Sequence, residues 1–257
     1  MKGSWALVTG ASAGMGRAIA QALAARGVNL LVNARRENRL LDLKKELSGK
    51  HDIQVEPLVF DIRDLQQCET VLKGKADIVS EVSVLVNNAG VSRSHLPLYE
   101  ASIQDWEQTI DTNIKGLLYM TRLILPHMVR RNAGHIVNIG SVGGRWTFPG
   151  GAVYCATKFA VRAITDGLRM DLQGKKIRVT NIEPGYVKTE IVLARTGNEA
   201  EAEAVYKGFE PLQPEDIADA VIWCLERPPR VNIQELVVFP TDQVGVGPTY
   251  IHREPTS

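Results

Sequence analysis

The spacing in this chain that is best suited to proton transfer is Tyr154 followed four residues later by Lys158. The surrounding segment has helical periodicity, so the two side chains lie on one helix face. An ammonium group beside a phenol favours the phenolate and lowers the phenol pKa from its usual value of about 10. Tyr154 is therefore a candidate general acid and base. Ser141 strengthens this interpretation because it follows a predicted strand, 135–139, at the carboxyl end where α/β sheets bind ligands.

A glycine-rich loop connects the first predicted strand to the first predicted helix. Gly10, Gly14 and Gly16 are spaced as Gly-x-x-x-Gly-x-Gly, directly after the apolar run 5–9. Glycines there permit a tight turn and let backbone N–H groups approach a pyrophosphate at the positive end of the helix. The alternative is a plain turn. The position between strand and helix favours a dinucleotide site.

Two arginines follow the second predicted strand, at the place where the type of dinucleotide is selected. Sites that prefer NAD carry an acidic residue there, which binds the ribose 2′-hydroxyl. This chain has Asn33, Ala34, Arg35 and Arg36 instead. Guanidinium groups fork onto phosphate oxygens, so the pair suits the 2′-phosphate of NADP. The competing interpretation is a basic start to the next helix.

The elements that must position these residues alternate between strand and helix. Mostly continuous apolar runs, as in strands buried on both faces, occur at 5–9, 28–33, 53–60, 82–87, 135–139, 177–182 and 236–239. Helical periodicity falls between them, at 14–26, 40–47, 65–80, 102–131, 153–173 and from Pro214 onward, and Pro126 is expected to kink or end its helix. The pattern predicts an α/β fold, a doubly wound parallel sheet of about seven strands in a Rossmann arrangement.

Composition excludes several other classes of protein. The 257 residues include 30 basic and 29 acidic ones, a formal charge of +1, so no global field attracts nucleic acid or an anionic membrane. A hydrophobic content of 44% argues against disorder, and with no linker or repeat we expect one domain over 1–257. Three scattered cysteines, no clusters with metal-ligand spacing and no membrane span or leader predict a cytoplasmic protein without a metal site.

The ordered set of motifs resembles the short-chain dehydrogenase/reductase family along essentially the whole chain. The matching pieces are Thr9-Gly10-x-x-x-Gly14-x-Gly16, Asn87-Asn88-Ala89-Gly90, Asn113, Ser141, Tyr154-x-x-x-Lys158 and Pro184-Gly185. Within the family, the stretches 105–117, 134–141 and 182–185 are similar to the NADP-dependent 3-hydroxy acid dehydrogenases, also described as serine or allo-threonine dehydrogenases. A group similar to clavulanic aldehyde reductase shares the run 240–244.

This resemblance implies four catalytic roles. Tyr154 would exchange a proton with the substrate oxygen, and Ser141 would hydrogen-bond the same oxygen and stabilise its developing charge. Lys158 would bind the nicotinamide ribose and lower the Tyr154 pKa. Asn113 would hold a water that links Lys158 to solvent.

The resemblance also implies a set of residues around NADP. Asp61 and Ile62 would meet the adenine, and Thr189 would contact the nicotinamide amide or a phosphate. The whole expected set is Gly10, Ser12, Gly14, Met15, Gly16, Arg35, Arg36, Asp61, Ile62, Asn88, Ala89, Gly90, Tyr154, Lys158, Pro184, Gly185, Val187 and Thr189.

The substrate contacts are expected in the loop after Ser141. Ser141 and Tyr154 would hold the reacting oxygen, and Arg145 could bind a substrate carboxylate through both its terminal nitrogens, or could be a solvated loop residue. Glu183 could face a substrate amino group or pair with a neighbouring cation. The segment 188–213 is either a substrate lid or a solvated helix pair, and the tail 245–257 is a candidate oligomer contact.

These features together predict an NADP(H)-dependent oxidoreductase that interconverts a secondary alcohol and a carbonyl in small 3-hydroxy acids. The alternative within the same chemistry is a ketone or aldehyde reductase acting on neutral substrates. A dinucleotide-binding redox sensor without catalysis is disfavoured because such proteins usually lack a catalytic residue. The family resemblance implies a homo-oligomer, a tetramer rather than a dimer.

Overall fold

Within residues 1–247, the part of the chain that the computed structural model describes, seven strands form one sheet in the order β3-β2-β1-β4-β5-β6-β7. All neighbouring strands are parallel. The strands are β1 Trp5–Thr9, β2 Asn29–Ala34, β3 Val55–Val59, β4 Val82–Asn87, β5 Gly134–Ile139, β6 Ile177–Pro184 and β7 Glu235–Val238. The predicted parallel α/β sheet of seven strands is confirmed.

Helices cover both faces of this sheet. They are α1 Gly14–Ala24, α2 Glu37–Lys50, α3 Leu65–Lys73, α4 Ala76–Ser80, α5 Ile103–Ile110, α6 Leu117–Arg131, α7 Ala152–Asp171, α8 Ile191–Thr196, α9 Glu199–Tyr206 and α10 Pro214–Leu225. A π-helical turn, Asp111–Gly116, joins α5 to α6, and a 3₁₀ turn, Val142–Gly144, follows β5. None of these helices is long and apolar enough to cross a membrane.

Alternation along the central strands divides the core into two layers. In β1, Ala6 and Val8 pack in the layer formed with α1, α2 and α10, whereas Leu7 points to the opposite layer with α3, α4 and α6. Both layers are fully buried here, with zero exposure for all three side chains. Burial on both faces explains why the strands read as continuous apolar runs.

Two helical segments differ from their prediction. The expected helix at 65–80 is two helices, because Lys75 leaves the helical conformation (φ −124°, ψ 29°) after Gly74 caps α3. Pro126 does not end α6, which continues to Arg131. The backbone hydrogen bond that Pro126 cannot donate is offset by packing, since Ile124 and Met128 on either side are fully buried in the core.

The structure describes all of the segment 188–213 and the first residues of the segment 245–257. The segment 188–213 contains the helix pair α8 and α9. Of the candidate oligomer contact 245–257, residues from 248 onward lie outside the described part of the chain. The three cysteines, Cys68, Cys155 and Cys224, are free and buried.

Candidate active site

The site lies where the strand order reverses, between β1 and its neighbour β4. In open α/β sheets, the loops that leave the strands at such a point separate and form a crevice. Here the crevice is a cleft of about 470 Å³, which continues into a second cavity of about 540 Å³. Met15, Ser92, Thr189 and Ile191 line both, so the two spaces are connected.

The glycine loop after β1 is held against the loop after β4. The Thr9 hydroxyl accepts hydrogen bonds from the backbone N–H groups of Asn88 and Ala89, each at 3.0 Å. The Asn88 side chain donates in return to the Thr9 carbonyl at 2.9 Å. These hydrogen bonds give the Asn-Asn-Ala-Gly motif a structural role, because they connect the loop after β4 to the loop after β1 at the base of the cleft.

Two glycines in this loop are needed for different reasons. Gly10 has φ +67°, a backbone conformation that residues with a Cβ rarely adopt. Position 16 has no room for a side chain, because a Cβ there would lie 2.3 Å from the Gly10 carbonyl oxygen. Gly16 therefore lies beneath the cleft and lets α1 begin close to β1.

The basic end of the cleft is built by the start of α2. Arg36 donates to the Ser12 hydroxyl from Nη2 at 2.9 Å and from Nε at 3.3 Å. Arg35 lies 3.7 Å from an Asp61 carboxylate oxygen. The Asp61 carboxylate is half-buried, which raises its pKa, but the hydrogen bonds from Arg63 and the charge of Arg35 outweigh burial and leave the pKa lowered. Asp61 thus remains an anion at the wall of the cleft.

The second cavity contains Ser141 and Tyr154. Tyr154 projects from the first turn of α7, and its ring lies 6.4 Å from that of Phe148. The Ser141 hydroxyl accepts a hydrogen bond from the Gly143 backbone at 3.0 Å. A hydrogen bond with Ser141 also lowers the Tyr154 pKa. The phenol and the hydroxyl are thus joined at the point where a substrate oxygen could meet both.

Lys158 lies one helical turn below Tyr154 and is buried. Its ammonium donates to the Ile139 carbonyl at 2.8 Å and lies 5.9 Å from the centroid of the Tyr154 ring. Burial lowers the Lys158 pKa to about 8. The lowering of the Tyr154 pKa by Lys158 stays a prediction. Burial raises the Tyr154 pKa more than Ser141 lowers it, and the lysine charge is directed at a carbonyl.

Asn113 lies in the π-helical turn between α5 and α6. Such turns widen a helix locally and often occur at functional sites. The Asn113 amide exchanges hydrogen bonds with both backbone groups of Val91, at 2.8 and 2.9 Å, and donates to the Thr157 hydroxyl at 3.0 Å. Asn113 thereby connects α7 to the loop after β4, beside the Lys158 ammonium. Its water-holding role stays a prediction.

Arg145 is not among the residues that line either cavity. Its guanidinium group forms ion pairs with Glu183 and Glu235, and Arg162 also pairs with Glu235 at 3.0 Å. The expected contact of Arg145 with a substrate carboxylate is therefore wrong, because two carboxylates of the protein already hold the guanidinium. Of the two interpretations of Glu183, pairing with a neighbouring cation is the one observed.

Replacing Arg145 by Met is expected to destabilise the fold by about 3 kcal/mol, because Glu183 is fully buried and would lose its partner. Burial already raises the Glu183 pKa, and removal of Arg145 would raise it further. A carboxyl whose pKa is higher in the folded state loses stability as pH rises. Urea denaturation should show a smaller loss at pH 5 than at pH 8, and equal losses would contradict this account.

A guanidinium that does line the second cavity is that of Arg195, in α8. It is half-buried, its Nη1 donates to His95 Nε2 at 2.9 Å, and its charge lowers the Tyr154 pKa. Burial and the nearby guanidinium lower the His95 pKa to about 4, so the imidazole is neutral at pH 7. The His95 ring also packs edge-on against Phe148, with centroids 5.3 Å apart. These contacts hold the guanidinium near the Tyr154 phenol.

The helix pair α8 and α9 forms one wall of the second cavity. Val192, Val205 and Tyr206 line it, and the Tyr206 hydroxyl donates to the Val187 carbonyl at 3.0 Å. Both helices therefore contribute to the cavity, and the role of 188–213 as a substrate lid stays a prediction. Sequence reasoning missed Arg195 and His95. A signal was present for Arg195, since it is the only charged residue of Ile191–Thr196.

Most of the predicted site residues lie together. Those lining the cleft are Gly10, Ser12, Gly14, Met15, Arg35, Arg36, Asp61, Ile62, Asn88, Ala89, Gly90 and Thr189. Those lining the second cavity are Met15, Ser141, Tyr154, Pro184, Gly185, Val187 and Thr189. Gly16, Asn113 and Lys158 lie behind these surfaces, and Arg145 lies apart from both.

Known proteins resemble this chain over nearly its full length. "Sulfoacetaldehyde reductase 2" of Chromohalobacter salexigens is 42% identical over 239 residues, which cover 92% of this chain and 94% of the relative. "NADP-dependent 3-hydroxy acid dehydrogenase YdfG" of Escherichia coli K12 is 43% identical over 250 residues, covering 96% and 99%.

A solved structure and a family model agree with these relatives. A closed form of serine dehydrogenase complexed with NADP+ matches with a TM-score of 0.88 and 42% identity, over 97% of this chain and all of that one. The model of the short chain dehydrogenase family matches residues 4–200. The family predicted from the ordered motifs is confirmed: this chain belongs to the short-chain dehydrogenases.

Proposed function

We propose that this protein is an NADP(H)-dependent oxidoreductase that interconverts a hydroxyl and a carbonyl in small hydroxy acids. The observation that carries the substrate class is the guanidinium of Arg195, which lines the same cavity as Ser141 and Tyr154. A substrate with an acid group a few bonds from its reacting carbon can contact all three. The cofactor cleft opens into this cavity, so the reacting carbon can also meet a nicotinamide.

The residues of the cleft fit NADP. The glycine loop lines the cleft where α1 begins, and the start of α1 has no side-chain cap, so its first backbone N–H groups suit a pyrophosphate. Arg35 and Arg36, with the Ser12 hydroxyl, supply donors for a 2′-phosphate. A Cβ at Gly90 would lie within 3.5 Å of Asn113 Oδ1 and Lys158 Nζ, so the glycine leaves room above these groups for the nicotinamide ribose.

The bound cofactor supplies or accepts a hydride, and the protein handles the proton. In reduction, Tyr154 donates its phenolic proton to the carbonyl oxygen, while the Ser141 hydroxyl donates a hydrogen bond to the same atom. In oxidation, Tyr154 removes the hydroxyl proton. The buried ammonium of Lys158 stabilises the negative charge that Tyr154 carries after donating. A pKa of about 8 makes Lys158 able to exchange its own proton near neutral pH.

The acid group of the substrate binds Arg195. A guanidinium pairs through two N–H groups with a carboxylate, and it can do the same with a sulfonate. Two relatives are named for 3-hydroxy acids and for sulfoacetaldehyde. Both kinds of compound carry an anionic group close to the carbon that bears the hydroxyl or carbonyl. Burial of Arg195 strengthens such a pair because little water competes for the guanidinium.

Absorbance of the reduced nicotinamide tests this proposal. The purified protein is mixed with NADP or NAD and with L-serine, allo-threonine, 3-hydroxybutyrate, isethionate or neutral secondary alcohols. We expect the protein to reduce NADP rather than NAD, and to do so fastest with the compounds that carry a carboxylate or a sulfonate. Activity confined to neutral alcohols would overturn the substrate class, and tight NADPH binding without turnover would replace the enzyme by a redox sensor.

Arg36→Ala is expected to weaken NADPH binding about tenfold or more and to leave NADH binding within about twofold, because only NADPH has a 2′-phosphate for the guanidinium to bind. Fluorescence titration with each cofactor measures this. Arg26→Ala is a matched control, since Arg26 forms an exposed ion pair with Glu226 away from the cleft. Equal weakening of both cofactors would show that Arg36 does not recognise the 2′-phosphate.

We also propose that the protein is a cytoplasmic homo-oligomer, a tetramer rather than a dimer. Helices α5 and α7 expose large apolar side chains, including Ile103 (61% exposed) and Met170 (78% exposed). Apolar surface of this kind is typical of protein interfaces. The free cysteines suit a reducing compartment. Sedimentation equilibrium distinguishes the tetramer from the dimer.

A further inference from the structure

Glu190 occupies the basic end of the cofactor cleft. It immediately precedes α8 and lines the cleft together with Arg35 and Arg36. Its carboxylate accepts hydrogen bonds from Arg39 Nη1 at 2.7 and 2.9 Å and from Arg36 Nη1 at 3.2 Å. Two guanidinium groups thus converge on one carboxylate, in the place where the cleft offers its donors for a 2′-phosphate.

We propose that Glu190 is an internal competitor of the NADP 2′-phosphate and thereby sets the affinity and selectivity of the cofactor site. This inference rests on the proposed assignment of the 2′-phosphate to Arg36. A phosphate carries about −1.5 to −2 charges and three acceptor oxygens, so it mimics and exceeds what one carboxylate offers to the same donors. The phosphate and Glu190 repel each other, and the arginines cannot satisfy both fully.

The geometry shows which contacts are exchanged. Arg36 already donates Nε and Nη2 to Ser12, so Nη1 is the nitrogen that it shares with Glu190. Arg39 gives Glu190 its two shortest contacts. When a 2′-phosphate reaches Arg36, Glu190 is displaced from that guanidinium. NADH brings no phosphate and leaves the Glu190 ion pairs in place.

One consequence is that the affinity for NADP(H) is lower than it would be if Glu190 did not pair with the two arginines. Ion pairs at this exposure contribute little each, so the competition is worth about three- to tenfold in affinity, or roughly 0.6–1.4 kcal/mol at 1.4 kcal/mol per tenfold. Faster release of the cofactor follows, which favours turnover wherever release limits the rate. Glu190 is thus a specificity-determining residue rather than a catalytic one.

Isothermal titration calorimetry at one fixed ionic strength tests the proposal with Glu190→Gln and, as a second variant, Glu190→Ala. The ligands are NADPH, NADH, adenosine 2′,5′-bisphosphate and adenosine 5′-monophosphate, because the last two isolate the 2′-phosphate. Glu203→Gln is the matched control. Glu203 also belongs to the helix pair α8 and α9, but it pairs with Lys188 at 3.0 Å, outside the cleft.

Both Glu190 variants should bind NADPH and the bisphosphate three- to tenfold more tightly, with no tightening for NADH or the monophosphate. Glu203→Gln should shift every constant by less than about twofold. Unchanged or weaker NADPH binding in the Glu190 variants, or equal tightening for NADH, overturns the inference. The Arg36→Ala titration distinguishes failure of this inference from failure of the proposed cofactor site. If Arg36→Ala weakens only NADPH binding while the Glu190 variants bind NADPH no more tightly, Arg36 still binds the 2′-phosphate and Glu190 does not compete with it.

Discussion

Tyr154→Phe is expected to lower kcat about a thousandfold while the NADPH dissociation constant stays within about twofold. Proton transfer by a positioned side chain contributes about 10²–10⁴ to a rate, and phenylalanine keeps the ring but has no proton to exchange. The ring's contact with Phe148 is retained, so the cavity should keep its shape. Steady-state kinetics with an oxo acid such as acetoacetate give kcat, and fluorescence titration with NADPH gives the dissociation constant.

The matched control is Tyr99→Phe, the same chemical change at a tyrosine that is 85% exposed and lines neither cavity. It should leave kcat unchanged. Turnover of Tyr154→Phe close to that of the unaltered protein would assign the proton transfer to another group. A large loss of NADPH affinity in the same variant would instead indicate collapse of the site.

Arg195→Met should lower kcat/KM for hydroxy acids about a hundredfold and leave kcat/KM for neutral carbonyl substrates within a fewfold. The acid group would lose a charge-assisted pair in a partly desolvated cavity, which is worth about 2–5 kcal/mol. Methionine keeps much of the side-chain volume, so α8 can still pack. Rates with 3-hydroxybutyrate and with a neutral alcohol of similar size, both with NADP, measure the change in preference.

Arg145→Met is the informative comparison, because Arg145 is equally a cation but is held by Glu183 and Glu235 outside the cavities. It should lower stability without changing the ratio of kcat/KM between acid and neutral substrates. Arg195→Lys should recover part of the lost activity, since it restores the charge but not the two parallel hydrogen bonds. A reversed outcome, with the ratio changed by Arg145 and not by Arg195, would contradict the assignment of the anion site.

The fold and the cofactor cleft could be predicted from sequence because their signals are local. Strands buried on both faces are continuously apolar, and the strand–glycine–helix order of Gly10 to Gly16 places a phosphate loop without knowledge of any distant contact. Tyr154 and Lys158 share a helix face by spacing alone. Boundaries were less certain: β6 extends to Pro184, two residues beyond the predicted 182, because it pairs with β7.

The proposed substrate-binding cation, Arg195, could not be predicted because its role depends on which charged side chains meet in space. Arg145 has the expected place after Ser141, but Glu183 and Glu235 arrive from β6 and β7, 38 and 90 residues further along the chain, and hold it. Arg195 reaches the cavity only because α8 folds back over it, beside His95, which lies 100 residues earlier. The local sequence marks Arg195 only as the single charged residue of α8, and the neighbours of neither arginine in the sequence specify which side chains it meets in space.

The proton affinities at the site likewise depend on burial rather than spacing. The spacing of four from Tyr154 to Lys158 places both side chains on one helix face, but burial determines both pKa shifts, upward for the phenol and downward for the ammonium. The Lys158 ammonium is turned to the Ile139 carbonyl, a contact that only the packing of α7 on β5 creates.

The most direct test of the central claim follows one hydrogen atom. NADPH that carries deuterium at nicotinamide C4, on the face that is transferred, is incubated with the protein and acetoacetate, and the product is examined by NMR. We expect 3-hydroxybutyrate with deuterium on the carbon that bears the hydroxyl, formed about a thousandfold more slowly by Tyr154→Phe. Tight binding of NADPH with no deuterated hydroxy acid, from acetoacetate or from other small oxo acids, would contradict the account.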